Sequence, residues 1–230
     1  HSGQTPAWMR ADLLRSVAAK IKERKEELAM LIATEGGKPL KDARVEATRS
    51  AITLEECAAA ALKMEGREWS MQRAPGTDNK LAFTIREPIG VVLAISAFNH
   101  PLNLACHQVG TALAAGNTVI MKPGLSTPLC SLILAEMFAD CGLPEGVLQV
   151  VLTSNENAGV LVASAQIDFL TFIGSARVGW MLRRNIADGT RMASEHGGNA
   201  ASIVLGDADL DRALSLIVRG AYYHAGQVCV

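Results

Sequence analysis

Downstream of Pro88 the chain runs through short apolar stretches rich in β-branched residues, each followed by a longer stretch of helical periodicity. The short runs lie near 91–95, 118–121, 148–151, 169–172 and 202–205, and helical spacing fills 102–115, 128–139, 157–163, 176–187 and 210–225. Strands that alternate with helices return to their sheet by crossovers rather than hairpins, so they run parallel and the helices cover the faces. The rhythm predicts an α/β fold, a parallel sheet with helices on both faces. Ligands of such sheets sit beyond the carboxyl ends of the strands, which makes the residues just after each run the ones to read.

Ahead of the sheet, Leu13, Leu14, Val17, Ala18, Ile21, Leu28, Leu31 and Ile32 recur at helical spacing with Lys and Glu between them. This predicts one amphipathic helix, stopped by Gly36-Gly37-Lys38-Pro39. A second helix over 42–64 is rich in Ala and Glu, and its charges read as a solvated face. Residues 68–72 and 81–86 alternate around Ala74-Pro75-Gly76-Thr77-Asp78-Asn79, the pattern of a β-hairpin outside the main sheet and a candidate contact between copies of the chain.

Charge and cysteine usage exclude several classes. A net charge of −1 gives no electrostatic reason for a nucleic-acid partner or an anionic membrane. No apolar run reaches the ~18 residues of a transmembrane helix, and the first residues lack the apolar core of a signal peptide. The five cysteines, none in a CxxC pair, suggest neither a disulfide framework nor a metal site. A reducing, cytoplasmic setting is expected. Val230 follows Cys229 with no terminating turn or capping signal, which reads as a fragment.

Three strand ends carry candidate ligand groups. Ser96-Ala97-Phe98-Asn99-His100-Pro101 follows the first run, Lys122-Pro123-Gly124 the second, and Ile173-Gly174-Ser175 opens the helix after the fourth. Gly-Ser at a helix N-terminus can offer N–H groups and a hydroxyl to a phosphate, and Lys122 can bond a sugar or a phosphate. The GxGxxG fingerprint is absent, and taken singly these residues also fit a helix cap, a surface lysine and a turn. Further on, Glu195 precedes His196-Gly197-Gly198-Asn199, and Cys229 closes Gly226-Gln227-Val228-Cys229. A carboxylate beside glycines that admit close backbone approach, with a thiol in a small polar context, can bring a base and a nucleophile to one substrate. Cys229 alone also fits a small buried hydrophobe.

In order and approximate spacing, these and other segments resemble the aldehyde dehydrogenase superfamily over essentially the whole chain. The segments are Phe98-Asn99-His100-Pro101-Leu102, Ala114-Ala115-Gly116-Asn117, Lys122-Pro123, Thr127-Pro128, Gly142-Leu143-Pro144-Glu145-Gly146, Phe172-Ile173-Gly174-Ser175, Glu195-His196-Gly197-Gly198-Asn199 and Gly226-Gln227-Val228-Cys229. The resemblance implies a Rossmann-like cofactor domain over 88–205, packed against a helical segment over 1–65. It also implies an oligomerisation hairpin over 66–87 and, over 206–230, a helix leading to the nucleophile at the start of a catalytic domain. NAD or NADP is the implied cofactor, an aldehyde the substrate, and a homodimer or homotetramer the assembly. Cys229 matches the nucleophile, Asn99 the oxyanion-hole amide and Glu195 the base that activates water. Lys122 matches the ribose ligand, with Gly174 and Ser175 at the pyrophosphate. Ile95, Ser96, Ala97, Phe98, Gly124, Leu125 and Gly197 complete the implied cofactor groove, with no metal.

The Phe-Asn-His-Pro-Leu-Asn form is similar to relatives acting on small polar aldehydes. Four departures stand out. His196 and Asn199 replace the Leu and Lys of Glu-Leu-Gly-Gly-Lys, and His224 replaces an Asn. Val151-Leu152-Thr153-Ser154 lacks the usual glycine, and Leu125 stands where many NAD-preferring relatives carry Glu. Two other readings stay open: a CoA-acylating enzyme, disfavoured because thioester transfer to a thiol needs no base for water, and a non-catalytic nucleotide-binding module.

Overall fold

The structure is a computed structural model that describes residues 5–229. It opens with three helices, α1 (Ala7–Glu23), α2 (Lys25–Gly36) and α3 (Leu40–Ala61). The single helix expected over the first stretch is thus two. Arg24 leaves helical geometry at φ −94° and ψ 19°, and its Nε donates to Glu27 Oε2 at 2.8 Å. A one-residue break keeps Ile21 and Leu28 two helical turns apart, so apolar periodicity passes over it unmarked. Gly37, at φ 68°, closes α2 in the left-handed conformation that glycine adopts without strain.

Two acidic residues of α3 also depart from expectation. Asp42 and Glu46 are buried, on the same stripe as Ala43, Ala47, Ser50, Ala51 and Leu54, rather than on a solvated face. After α3 the hairpin forms as the sequence implies, with β1 (Glu68–Trp69) antiparallel to β2 (Ala82–Phe83).

The rest of the chain builds the sheet. Its elements are β3 (Val91–Ile95), α4 (Pro101–Ala114), β4 (Thr118–Lys122), α5 (Leu129–Asp140), β5 (Leu148–Val150), α6 (Asn155–Val162), β6 (Phe169–Gly174), α7 (Ala176–Asn185), β7 (Arg191–His196) and α8 (Leu210–Tyr222), followed by a 3₁₀ turn over Tyr223–Gly226. All five strands of the order β5-β4-β3-β6-β7 run parallel. The chain starts at the centre, moves outward to β5, then crosses back to place β6 on the other side of β3. That reversal opens a crevice at the carboxyl ends of β3 and β6, the place where doubly wound sheets bind ligands.

Alternation along β3 sends Val92 and Ala94 into a core shared with α1 to α5, and Leu93 and Ile95 into a second core with Val162 of α6, Leu170 and Phe172 of β6, and Leu182 of α7. Both faces are therefore covered, as the near-continuous apolar run of β3 requires. No helix among the described residues is long and apolar enough to cross a membrane.

The strand expected near 202–205 does not form: these residues pair with nothing in the sheet, and Ile203 is 81% exposed. The fifth strand is instead β7, whose polar sequence Arg-Met-Ala-Ser-Glu-His carries no apolar alternation because it lies at the sheet edge with only Met192 against the second core.

Candidate active site

Glu195 enters the site on β7, opposite Ile173 of β6, while its neighbour His196 stands opposite Gly174. Successive strand residues face opposite ways. His196 accordingly lies against the α7 side, edge-on to Phe172 and Trp180, in a slot that exists because residue 179 is glycine: a Cβ there would fall 2.0 Å from His196 Nε2. His196 thus packs against the second core, while Glu195 is left to meet Cys229.

Cys229 arrives from the other direction. After α8 the chain doubles back through His224 (φ 48°, ψ 44°) and Ala225 (φ 54°, ψ 30°), left-handed conformations that are uncommon for residues with a Cβ. The turn delivers Gln227, whose carbonyl accepts from Asn99 Nδ2 at 2.8 Å, and Cys229, whose Sγ–H donates to Glu195 Oε1 at 3.4 Å. Partial burial and the Glu195 carboxylate push the Cys229 thiol above its ordinary value, against an opposing pull from Arg49.

The remaining cysteines are less accessible. Burial pushes Cys57 up to about 11 and raises Cys106, Cys130 and Cys141, and Cys229 is the one exposed thiol among the described residues.

Asn99 is thus tied to the turn that carries Cys229, two residues before it, and Cys229 meets Glu195. Cys229 and Glu195 line a cavity of about 1210 Å³ together with Arg49, Asn103, His107 and Arg219. Burial and the nearby Arg49 charge lower the basicity of His107. The Oδ1 atom of Asn99 is buried with no partner.

Of the expected cofactor residues, those after β3 and β4 lie side by side. Ile95 pairs with Lys122 across β3 and β4, and Ser96 N–H extends the ladder to the Lys122 carbonyl at 3.1 Å. Lys122 is 5% exposed, its Nζ donates to Asn155 Oδ1 at 3.1 Å, and burial lowers its basicity. Gly124 lets the loops after β3 and β4 touch: a Cβ would come within 3.2 Å of Phe98 Cβ.

Ser175 caps α7 by accepting from Val178 N–H at 3.4 Å, and Phe98 and Leu125 are both about half exposed. Ser96 Oγ is buried with no hydrogen-bond partner, an orphan group of the kind that a ligand or water satisfies. A dinucleotide fits this arrangement of a cationic side chain, a spare hydroxyl and a capped helix start.

Comparison with known proteins decides the family. The sequence profile described as Aldehyde dehydrogenase family matches residues 2–230. The chain belongs to this family. Among its aldehyde dehydrogenase relatives, a 3-sulfolactaldehyde dehydrogenase of Priestia aryabhattai is 43% identical over 222 residues, covering 96% of this chain and 46% of the relative. A lactaldehyde dehydrogenase of Methanocaldococcus jannaschii is 37% identical, with 98% and 48% covered.

Among solved structures, an NADP-dependent glyceraldehyde-3-phosphate dehydrogenase of Bacillus halodurans C-125 complexed with NADP superposes with a TM-score of 0.93 at 38% identity, over 99% of this chain and 48% of that one. The chain spans about half the length of the curated aldehyde dehydrogenases it matches.

Two parts of the candidate site escape the sequence reading. One is the Gln227 carbonyl that holds Asn99. The other is a buried ion pair, Lys38 and Glu46, behind Asn99 and His100. Its signal is a carboxylate at an apolar stripe position of α3, which demands a buried partner.

Proposed function

We propose that the protein oxidises an aldehyde to a carboxylic acid with NAD or NADP, through a covalent intermediate on Cys229. The observation that carries this reading is the contact between Cys229 Sγ and Glu195 Oε1 beside Asn99. The thiolate adds to the aldehyde carbon, forming a C–S bond and leaving an oxyanion. The Asn99 amide and the Cys229 N–H would stabilise that charge where it develops. When bound, NAD⁺ or NADP⁺ would supply the acceptor for the hydride released from the adduct carbon, whose two-electron oxidation would leave a thioester on Cys229. Glu195 then takes a proton from water, the resulting hydroxide displaces the thiolate, and the carboxylic acid departs.

Lys122 would hold the adenosine ribose, Gly174 and Ser175 the pyrophosphate, and backbone at Ile95, Ser96, Ala97 and Phe98 the groove between, with Gly124, Leu125 and Gly197 alongside. The Asn103, His107, Arg49 and Arg219 lining of the cavity supports a small polar aldehyde as substrate. The exposed Leu81, Phe83 and Ile85 near the hairpin support contacts between copies of the chain. A water-activating carboxylate touching the thiol favours hydrolysis over acyl transfer to CoA.

The test is Cys229→Ala in the full-length protein that carries this sequence. It abolishes aldehyde oxidation while the dissociation constant for NAD or NADP stays within about threefold of wild type. Retained turnover overturns the reading.

A further inference from the structure

At the start of α4 lies a charged cluster for which the proposed chemistry has no use. Lys38 and Glu46 are fully buried, their side chains 1% and 0% exposed, with Lys38 Nζ 2.6 Å from Glu46 Oε2. The other two contacts of the ammonium go forward, to the Asn99 carbonyl at 2.9 Å and to His100 Nδ1 at 2.6 Å. An ammonium has three donors and no acceptor, and these three contacts account for all of them.

Glu46 turns its second oxygen to the helix itself, where Oε1 accepts from the backbone N–H of Leu102 at 2.9 Å and of Asn103 at 3.2 Å. His100 occupies the N-cap position of α4 and makes no side-chain cap bond. The carboxylate from α3 therefore does the capping from outside, on N–H groups that would otherwise be orphaned and at the helix end that favours negative charge. Burial works to raise the Glu46 carboxyl, but its contacts with His100, Lys38 and the Asn103 N–H outweigh burial and hold it below its ordinary value.

Asn99 sits where these constraints meet. Its carbonyl is held by Lys38, the helix that follows is held by Glu46, and its side-chain amide points forward to the Gln227 carbonyl, two residues before Cys229. A stabilising donor must lie where charge develops, and a shift of about 1 Å in such a group can cost about 100-fold in rate. Freely turning loop backbone cannot supply that accuracy, whereas a carbonyl pinned to a buried ammonium can.

We propose that Lys38 and Glu46 are a positioning pair that aims the Asn99 amide at the carbon–oxygen bond attacked by Cys229. This rests on the aldehyde oxidation proposed above. Neither residue touches the reacting atoms, and both act through Asn99. The pair should matter to kcat far more than to cofactor affinity, because its forward contacts go to Asn99, His100 and the start of α4, while Lys122, Gly174 and Ser175 stand on other strand ends.

The experiment is a double-mutant cycle in the full-length protein that carries this sequence, with kcat, KM for aldehyde and Kd for NADP measured throughout. Lys38→Met and Glu46→Gln each lower kcat by about 10- to 100-fold with Kd for NADP little changed. In an Asn99→Ala background Lys38→Met lowers kcat by less than about threefold, since the group being aimed is already gone. Should Lys38→Met fail to fold, Lys38→Met/Glu46→Gln, which leaves no unpaired buried charge, replaces it in the cycle. Equal losses in both backgrounds, or a parallel loss of NADP affinity, overturn the positioning role and leave a purely structural one. A wild-type protein that oxidises no aldehyde overturns the function itself, a distinguishable result.

Discussion

Cys229 Sγ lies 3.4 Å from Glu195 Oε1 across 34 residues of sequence, the thiol donating and the carboxylate accepting. The contact has a chemical cost: a negative charge beside the thiol disfavours the thiolate, the form that attacks. Arg49 acts with the opposite sign on the same thiol. Titration by iodoacetamide on the chain itself reads both effects. Glu195→Gln speeds alkylation of Cys229 at pH 8, because the thiol loses the neighbour that raises it, and Arg49→Met slows it. The reverse order would mean that the two groups do not set the thiolate fraction.

Stability should respond to the buried pair with a definite pH sign. Removing one partner strands a buried charge, so Lys38→Met costs about 3–5 kcal/mol of unfolding free energy by urea titration. The Glu46 carboxyl is held below its ordinary value in the folded chain. Its contribution is therefore complete above the ordinary carboxylate range and is lost as pH falls through the lower, folded value. Glu46→Gln should flatten this acid limb. A loss under about 1 kcal/mol for Lys38→Met, with an unchanged acid limb in Glu46→Gln, would contradict the pair's role.

Cofactor choice should turn on residue 125. Leu125 is 54% exposed beside the Lys122 strand end. Glutamate here would hydrogen-bond ribose hydroxyls and repel a 2′-phosphate, whereas leucine does neither and leaves Lys122 to pair with the phosphate. A hydrogen bond to a charged group contributes about 1.5–3 kcal/mol, or about 10- to 150-fold in selectivity. NADP should accordingly be used at least comparably to NAD, and Leu125→Glu should shift kcat/KM toward NAD by that factor. A preference for NAD above about 100-fold, unchanged in the variant, would show that other contacts decide.

The central layer of this fold is legible in the sequence because β3, β4 and β6 are buried on both faces and so read as apolar runs of strand length. The helices between them carry clear periodicity. What escapes is at the margins. β7 is an edge strand with a polar sequence, and the apolar 203–205 stretch looks more like a strand than β7 does, because hydrophobicity reports burial preference and not ladder pairing. Glu46 is legible only if one asks why an acid falls on the alanine stripe of α3. The candidate site residues Asn99, Glu195 and Cys229 are recognisable from their motifs. Their convergence depends on the left-handed turn at His224 and Ala225, which no propensity rule predicts for those residues.

The covalent role of Cys229 can be tested directly by trapping the acyl group. In Glu195→Gln, water activation slows by about 10²- to 10⁴-fold while hydride transfer continues, so an aldehyde and NADP should give a burst of reduced cofactor equivalent to the enzyme present. Acid quench and peptide mass spectrometry should then find the acyl mass on the peptide that contains Cys229. Acyl mass on Cys57, Cys106, Cys130 or Cys141, or a burst with no acylated thiol, would contradict the account.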